Sequence, residues 1–111
     1  MGAARPMREV SPKDVQRRLA EGADLLLLDV READEVALCR IAGALHVPMG
    51  DVPSRLHELD PDREIVVYCH HGQRSAAVVA FLERHEFAGV ANLAGGIERW
   101  AADVDPSMPR Y

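Results

Sequence analysis

The chain has 111 residues, of which 48% are hydrophobic and 28% charged, the size and balance of one globular domain. Its 13 basic and 18 acidic residues give a formal net charge of −5, and no Lys/Arg cluster stands out, so no nucleic-acid partner is expected. The longest near-continuous apolar run, 76–82, is too short to span a bilayer, so no membrane partner is expected either. Only two cysteines occur, Cys39 and Cys69, which excludes a disulfide framework and predicts a cytoplasmic protein with reduced thiols.

The first predicted element is a helix that begins after a short leader. Residues 1–6 carry little pattern and are expected to be loose. Ser11 can cap a helix, Pro12 suits its first turn, and Asp14 stands at capping-box spacing from Ser11. Gly22 is the expected stop of this helix.

The next elements are short apolar runs typical of strands that are buried on both faces of a parallel sheet. These runs are 25–28, 44–47, 65–68 and 90–93. Segment 74–85 has an apolar middle and no helix breaker, which predicts a helix that covers the sheet. Strands that alternate with helices indicate an α/β fold. With no linker-like segment, 1–111 is expected to be a single domain, and its proline-rich end, 104–111, an irregular tail.

The sequence around Cys69 predicts a reactive thiol. Cys69 directly follows the apolar run 65–68 and precedes the predicted helix, and parallel α/β sheets bind ligands at the carboxyl ends of their strands. Amide N–H groups of the loop and of the first helical turn would point at the sulfur and stabilise a thiolate. Gly72 allows the tight turn, and Arg74 could add a positive charge. Free cysteines are often buried and inert, and this is the alternative for Cys69. Inert burial is the expectation for Cys39, and a role as the thiol that resolves oxidised Cys69 is the other possibility.

The segment Cys69-His70-His71-Gly72-Gln73-Arg74-Ser75 is similar to the Cys-x-x-Gly-x-Arg-Ser active-site loop of rhodanese-like sulfurtransferases. Three further segments resemble that family in the same order. They are Asp29-Val30-Arg31 with Glu35, Ile41-Ala42-Gly43-Ala44 with Pro48, and Gly95-Gly96-Ile97 with Trp100. One departure is Cys39-Arg40, where the family often has Gly-His.

The resemblance implies a three-layer α/β fold with a central, mostly parallel, five-stranded sheet flanked by helices. It implies that Cys69 is catalytic, that residues 70–75 form the substrate- and persulfide-binding loop, and that Asp29, Arg31 and Glu35 support the site. The implied reaction moves a sulfane sulfur from thiosulfate or a protein persulfide to a thiol, cyanide or a sulfur-carrier protein through a Cys69 persulfide. No cofactor and no metal are implied.

Three other interpretations of the same residues remain. The chain could be a persulfide carrier or docking module without turnover. It could be a cysteine-based phosphatase or arsenate reductase, although those enzymes typically have Cys-x5-Arg and this chain has Cys-x4-Arg between Cys69 and Arg74. His70 and His71 could bind a metal, but no pattern of four ligands accompanies them. Structural roles are the simpler expectation for the remaining residues. Asp29, Arg31 and Glu35 would form an ion pair or a helix cap. Trp100 would anchor the last helix to the core.

Overall fold

A computed structural model of the chain describes residues 7–111. The leader predicted at 1–6 lies outside this range. The strands are β1 (Glu9–Val10), β2 (Leu25–Asp29), β3 (Leu45–His46), β4 (Glu64–Tyr68) and β5 (Val90–Leu93). The helices are α1 (Pro12–Ala20), α2 (Ala33–Leu38), α3 (Gln73–Arg84) and α4 (Gly96–Asp103), with short 3₁₀ helices at Met49–Asp51 and Leu56–Glu58.

The five strands form one sheet in the order β1-β5-β4-β2-β3, and every neighbouring pair is parallel. This confirms the predicted α/β class and its five-stranded sheet flanked by helices. Strand β4 lies in the centre, with Val66 opposite Leu27 of β2 and Ala91 of β5. The carboxyl end of β4 is therefore enclosed by strands on both sides.

Two apolar clusters, one on each face of the sheet, hold the layers together. Alternate residues of each strand point to opposite faces, so a strand covered on both sides reads as a continuous apolar run. One cluster packs Val78, Val79 and Leu82 of α3 against the sheet. The other includes Val15 of α1 together with Ile97 and Trp100 of α4, which places Trp100 in the core as predicted.

The element boundaries mostly follow the sequence predictions. Ser11 caps α1, since its hydroxyl accepts a 3.1 Å hydrogen bond from the Asp14 amide. Helix α3 begins one residue earlier than predicted and ends one residue earlier, and β3 is shorter than the apolar run 44–47. Strand β1 and helix α2 were not predicted, because β1 has two residues and α2 buries none of its side chains on the core.

Beyond α4, segment 104–111 contains neither helix nor strand. Met108 packs against the same cluster as Trp100, and Arg110 forms an ion pair with Glu98. The segment then ends at Tyr111, whose hydroxyl contacts Arg31 and Glu35. Within residues 7–111, no helix has both the length and the apolar character needed to cross a membrane.

Candidate active site

Cys69 is the first residue after β4, and three loop residues separate it from α3. This loop is shorter than the predicted one, because α3 already begins at Gln73. The Cys69 side chain is 1% exposed and is buried in the same apolar cluster as Val78 and Val79 of α3. The site therefore forms where the central strand passes into a helix whose amino end faces the sulfur.

Hydrogen-bond donors of the loop and of α3 are directed at the sulfur. The amide N–H of Gly72 donates to Cys69 Sγ at 3.1 Å, and the amide N–H of Ser75 donates at 3.4 Å. The Ser75 hydroxyl oxygen lies 3.4 Å from the same sulfur. Gly72 has φ = 110°, a left-handed conformation in which residues with a side chain are strained, and this turns its N–H inward.

These contacts set the acidity of the Cys69 thiol. Burial acts to raise its pKa, but hydrogen bonds from the Ser75 hydroxyl and from the amides of Ser75, Gly72 and Arg74 outweigh burial and lower the pKa below its ordinary value. A lower pKa increases the fraction of thiolate, which is the nucleophilic form of cysteine. The arrangement can hold an anionic sulfur without a metal ion.

Arg74 is held by Glu35 rather than left free above the sulfur. Its two terminal nitrogens donate to the two Glu35 carboxylate oxygens at 2.7 and 2.9 Å. This contact lowers the pKa of Glu35 to about 2 and raises that of the Arg74 guanidinium, whose pKa the nearby Cys69 also raises. Arg74 therefore acts on the site as one half of an ion pair that joins α3 to α2.

Asp29 and Arg31 form a second ion pair, which is buried. The Arg31 guanidinium donates to both Asp29 carboxylate oxygens, at 3.0 and 2.8 Å, and both side chains are 1% exposed or less. Arg31 also donates to the carbonyl of Cys39 at 2.7 Å and to the Tyr111 hydroxyl at 3.0 Å. Arg31 thus ties Asp29 to the Cys39 carbonyl and to the Tyr111 side chain. Cys39 itself is half-buried against the core, as expected of a packed thiol.

The remaining loop side chains lie towards the surface. The His70 ring stacks on His71 at 4.0 Å and on Tyr111 at 3.9 Å between ring centroids. His71 and Gln73 are exposed, whereas His70 is half-buried and its pKa is lowered, chiefly by burial. Among residues 7–111, no three His, Cys, Asp or Glu side chains are grouped so that they could hold a metal ion.

Two residues that contact the Cys69 loop or the start of α3 were not singled out from the sequence. Tyr111 comes from the end of the chain, and Asn92 is a buried polar residue of β5 that contacts both Ser75 and Gly72. Gly96, named in the sequence only for its resemblance to the family, is the first residue of α4. A Cβ at Gly96 would lie 2.4 Å from the His70 carbonyl oxygen and 2.7 Å from that of Cys69, so only glycine lets α4 approach this closely.

The start of α4 also fixes the backbone of the loop. The amide N–H of Ile97 donates to the Cys69 carbonyl at 2.9 Å, and that of Glu98 donates to the His70 carbonyl at 3.1 Å. These amides belong to the first turn of α4, which has no partners for them within the helix. Together they tie the backbone of Cys69 and His70 to the start of α4.

Comparison with known proteins agrees with this architecture. A model of the rhodanese-like domain family matches residues 11–103. A sulfurtransferase of Allochromatium vinosum is 39% identical over 95 residues, covering 86% of this chain and 89% of the relative. The thiosulfate sulfurtransferase GlpE of Coxiella burnetii is 34% identical over 84 residues, covering 76% and 78%. The crystal structure of a rhodanese-like domain protein from Staphylococcus aureus superposes with a TM-score of 0.82 at 27% identity, covering 95% of this chain and 99% of that one. The chain therefore belongs to the family of rhodanese-like domains.

Proposed function

We propose that the chain is a rhodanese-type sulfurtransferase in which Cys69 carries the sulfur as a persulfide. The donor is thiosulfate or a protein persulfide, and the acceptor is a thiol, cyanide or a sulfur-carrier protein. Relatives that are named as sulfurtransferases support a role in sulfur transfer. The observation that carries the proposal is the pair of amide N–H groups, from Gly72 and Ser75, that point at the Cys69 sulfur.

The reaction divides into two displacements at sulfur. In the first, the Cys69 thiolate attacks the outer sulfur of thiosulfate, an S–S bond forms to Sγ, and sulfite leaves with the electron pair of the broken bond. In the second, an acceptor such as cyanide attacks the outer sulfur, thiocyanate leaves, and the electron pair returns to Sγ. Such a covalent intermediate splits one transfer into two easier steps.

The surroundings of Cys69 suit both steps. The loop N–H groups can stabilise the anionic outer sulfur of the persulfide as they stabilise the thiolate. In each of the ion pairs Arg74–Glu35 and Arg31–Asp29, the positive guanidinium is offset by the negative carboxylate. A site without a strong net charge can accept an anionic donor, and it can also release an anionic product.

A phosphatase is less well supported by the geometry of Arg74. In that chemistry an arginine next to the cysteine must stabilise the oxygens of a transferred phosphoryl group. Here both terminal nitrogens of Arg74 are taken up by Glu35. We therefore expect no turnover of an aryl phosphate.

A reducing compartment such as the cytoplasm fits this chemistry. Cys69 must be a free thiol to accept sulfur, and both Cys39 and Cys69 are free. Cys39 lies half-buried, in contact with core residues, and we assign it no part in the transfer.

Steady-state kinetics with thiosulfate and cyanide test the proposal. A covalent intermediate predicts parallel lines in double-reciprocal plots, loss of turnover in Cys69→Ser, and retained turnover in Cys39→Ser as the matched control. Turnover that survives in Cys69→Ser would overturn the proposal. A protein that takes up sulfur at Cys69 yet fails to turn over with any acceptor would instead be a carrier.

A further inference from the structure

Asn92 is a polar side chain placed in the interior of the sheet. It is 2% exposed and lies in β5, a strand whose four residues are all buried. Its Nδ2 donates to the Gly72 carbonyl at 3.0 Å and to Glu9 Oε2 at 3.3 Å, and its Oδ1 accepts from the Ser75 hydroxyl at 2.6 Å. A buried amide is costly unless its hydrogen bonds are made, so these three contacts determine how Asn92 sits.

The contacts also determine which way the Asn92 amide points. Turned over, its carbonyl oxygen would face the Gly72 carbonyl and the Glu9 carboxylate, and neither can donate a proton. Oδ1 must therefore face Ser75. Between Oδ1 and Ser75 Oγ, only the serine carries a proton, so that proton points at Asn92.

This placement decides how Ser75 meets Cys69. While the Ser75 hydroxyl donates its proton to the hydrogen bond with Asn92, Ser75 Oγ can only accept a second hydrogen bond. The Cys69 thiol, 3.4 Å away, is then the donor. Once Cys69 is ionised, its sulfur has no proton to give and becomes an acceptor. The Ser75 hydroxyl has a single proton, so it can then donate a hydrogen bond to Sγ or to Asn92, but not to both.

We propose that Asn92 is a positioning residue for sulfur transfer. Asn92 competes with the Cys69 sulfur for the hydrogen bond that the Ser75 hydroxyl donates. This rests on the proposed function. In the persulfide, Sγ carries no charge, and the Ser75 hydroxyl donates a hydrogen bond to Asn92 Oδ1. When the acceptor removes the outer sulfur, the electron pair of the S–S bond returns to Sγ, and the Ser75 hydroxyl turns to donate to the new thiolate. The proton stays covalently bound to Ser75 Oγ throughout, and only its hydrogen-bond partner changes.

The consequence is a specific sign for each substitution. Without Asn92, the Ser75 hydroxyl is free to donate a hydrogen bond to the Cys69 thiolate, so the Cys69 thiol ionises more easily. Without the Ser75 hydroxyl, the thiolate loses a donor and the thiol ionises less easily. If the two residues act through one proton, the effect of Asn92 must vanish once Ser75 is replaced.

The test is the pH dependence of Cys69 alkylation by iodoacetamide, in a Cys39→Ala background so that one thiol reacts. Ser75→Ala is expected to raise the midpoint, and Asn92→Ala to lower it, each by roughly half a pH unit to one unit. In the Ser75→Ala background, Asn92→Ala is expected to cause no further shift. The ionisable groups near the loop or in contact with Asn92 are present in every variant: Arg74 on α3, Glu35 on α2, His70 in the loop and Glu9 on β1.

A purely structural role for Asn92 predicts the opposite sign. If Asn92 only braces the loop through the Gly72 carbonyl, its loss withdraws the amide donors and raises the midpoint with or without Ser75. That outcome would overturn the proposal. Asn92→Leu, which fills the space of the amide, provides a second variant should Asn92→Ala fail to fold.

A measurement on the protein with Asn92 intact does not depend on how those variants fold. In ¹⁵N-labelled protein, the side-chain amide signals of Asn92 should shift as Cys69 titrates, and several-fold less in Ser75→Ala. Equal shifts in both proteins would contradict the competition. Neither experiment requires a sulfur donor, so a failure to form persulfide would reject the proposed function alone, while an unchanged midpoint in Asn92→Ala would reject the role of Asn92 alone.

Discussion

The Arg74 guanidinium and the Glu35 carboxylate meet at two points, at 2.7 and 2.9 Å, and this pair ties the helix after Cys69 to α2. Two-point pairs between guanidinium and carboxylate are among the stronger polar contacts in proteins. The Tyr111 hydroxyl donates to the same carboxylate at 2.8 Å. Glu35 thus connects α2 with α3 and with the segment 104–111.

Glu35→Gln is expected to destabilise the fold in a pH-dependent manner. The pKa of Glu35 falls from 4.5 to about 2 in the folded chain, first because of the hydrogen bond from Arg74. The ionised carboxylate therefore stabilises the fold fully above the unfolded value, and this stabilisation is lost as the pH falls toward about 2. We expect Glu35→Gln to lower the free energy of unfolding by about 1–3 kcal/mol at pH 7.

Urea denaturation of both proteins between pH 7 and pH 2 measures this difference. It should shrink steadily as the pH falls below the unfolded pKa of Glu35. Glu58→Gln, in the exposed Arg55–Glu58 pair, is the control and should change stability less. A difference between wild type and Glu35→Gln that is independent of pH would show that the ion pair is not the cause.

Tyr111 is expected to resist ionisation. Burial raises its pKa to about 12, the Glu35 carboxylate adds to the rise, and Arg31 opposes it. The other tyrosine, Tyr68, is buried in β4 and its pKa is raised as well. Ultraviolet titration should therefore detect almost no tyrosinate at pH 10 in the folded protein, and about half ionisation in urea. If one of the two tyrosines titrates near pH 10 without unfolding, the end of the chain is not docked on the site.

Gly96→Ala is expected to disturb the Cys69 loop. Gly96 has φ = 63°, and an added Cβ would lie 2.6 Å from the carbonyl carbon of His70. We expect a loss of more than about 2 kcal/mol in unfolding free energy, together with slower alkylation of Cys69.

Gly22→Ala is the matched control for Gly96→Ala. Gly22 also has a positive φ, 84°, but no atom lies within 4 Å of the added Cβ. Its cost should be only the backbone strain, about 1–2 kcal/mol. Equal losses in the two variants would mean that the contact between Gly96 and the loop is unimportant.

The sequence was sufficient to predict the elements that are long or strongly apolar. Strands β4 and β5 were expected from their apolar runs, and α3 from an apolar segment without a helix breaker. Cys69 could be placed because a strand end beside a polar loop is a local pattern. Helix α2 escaped prediction because a helix that buries no side chain on the core has no apolar stripe to detect.

The contacts that complete the site depend on residues distant in the chain. Glu35 and Tyr111 are 76 positions apart, and Asn92 and Ser75 are 17 apart. Neither pair follows from local spacing, since only the packing of the layers brings them together. The positive charge expected from Arg74 is present, but its pairing with Glu35 could not be foreseen from the loop alone.

The intact mass of the purified protein, before and after incubation with thiosulfate, tests the central claim most directly. We expect a gain of one sulfur atom, its loss on addition of a thiol, and no gain in Cys69→Ser, while Cys39→Ser gains sulfur normally. An unchanged mass with thiosulfate and with a persulfide donor, or a gain that persists in Cys69→Ser, would contradict the assignment of Cys69 as the sulfur carrier.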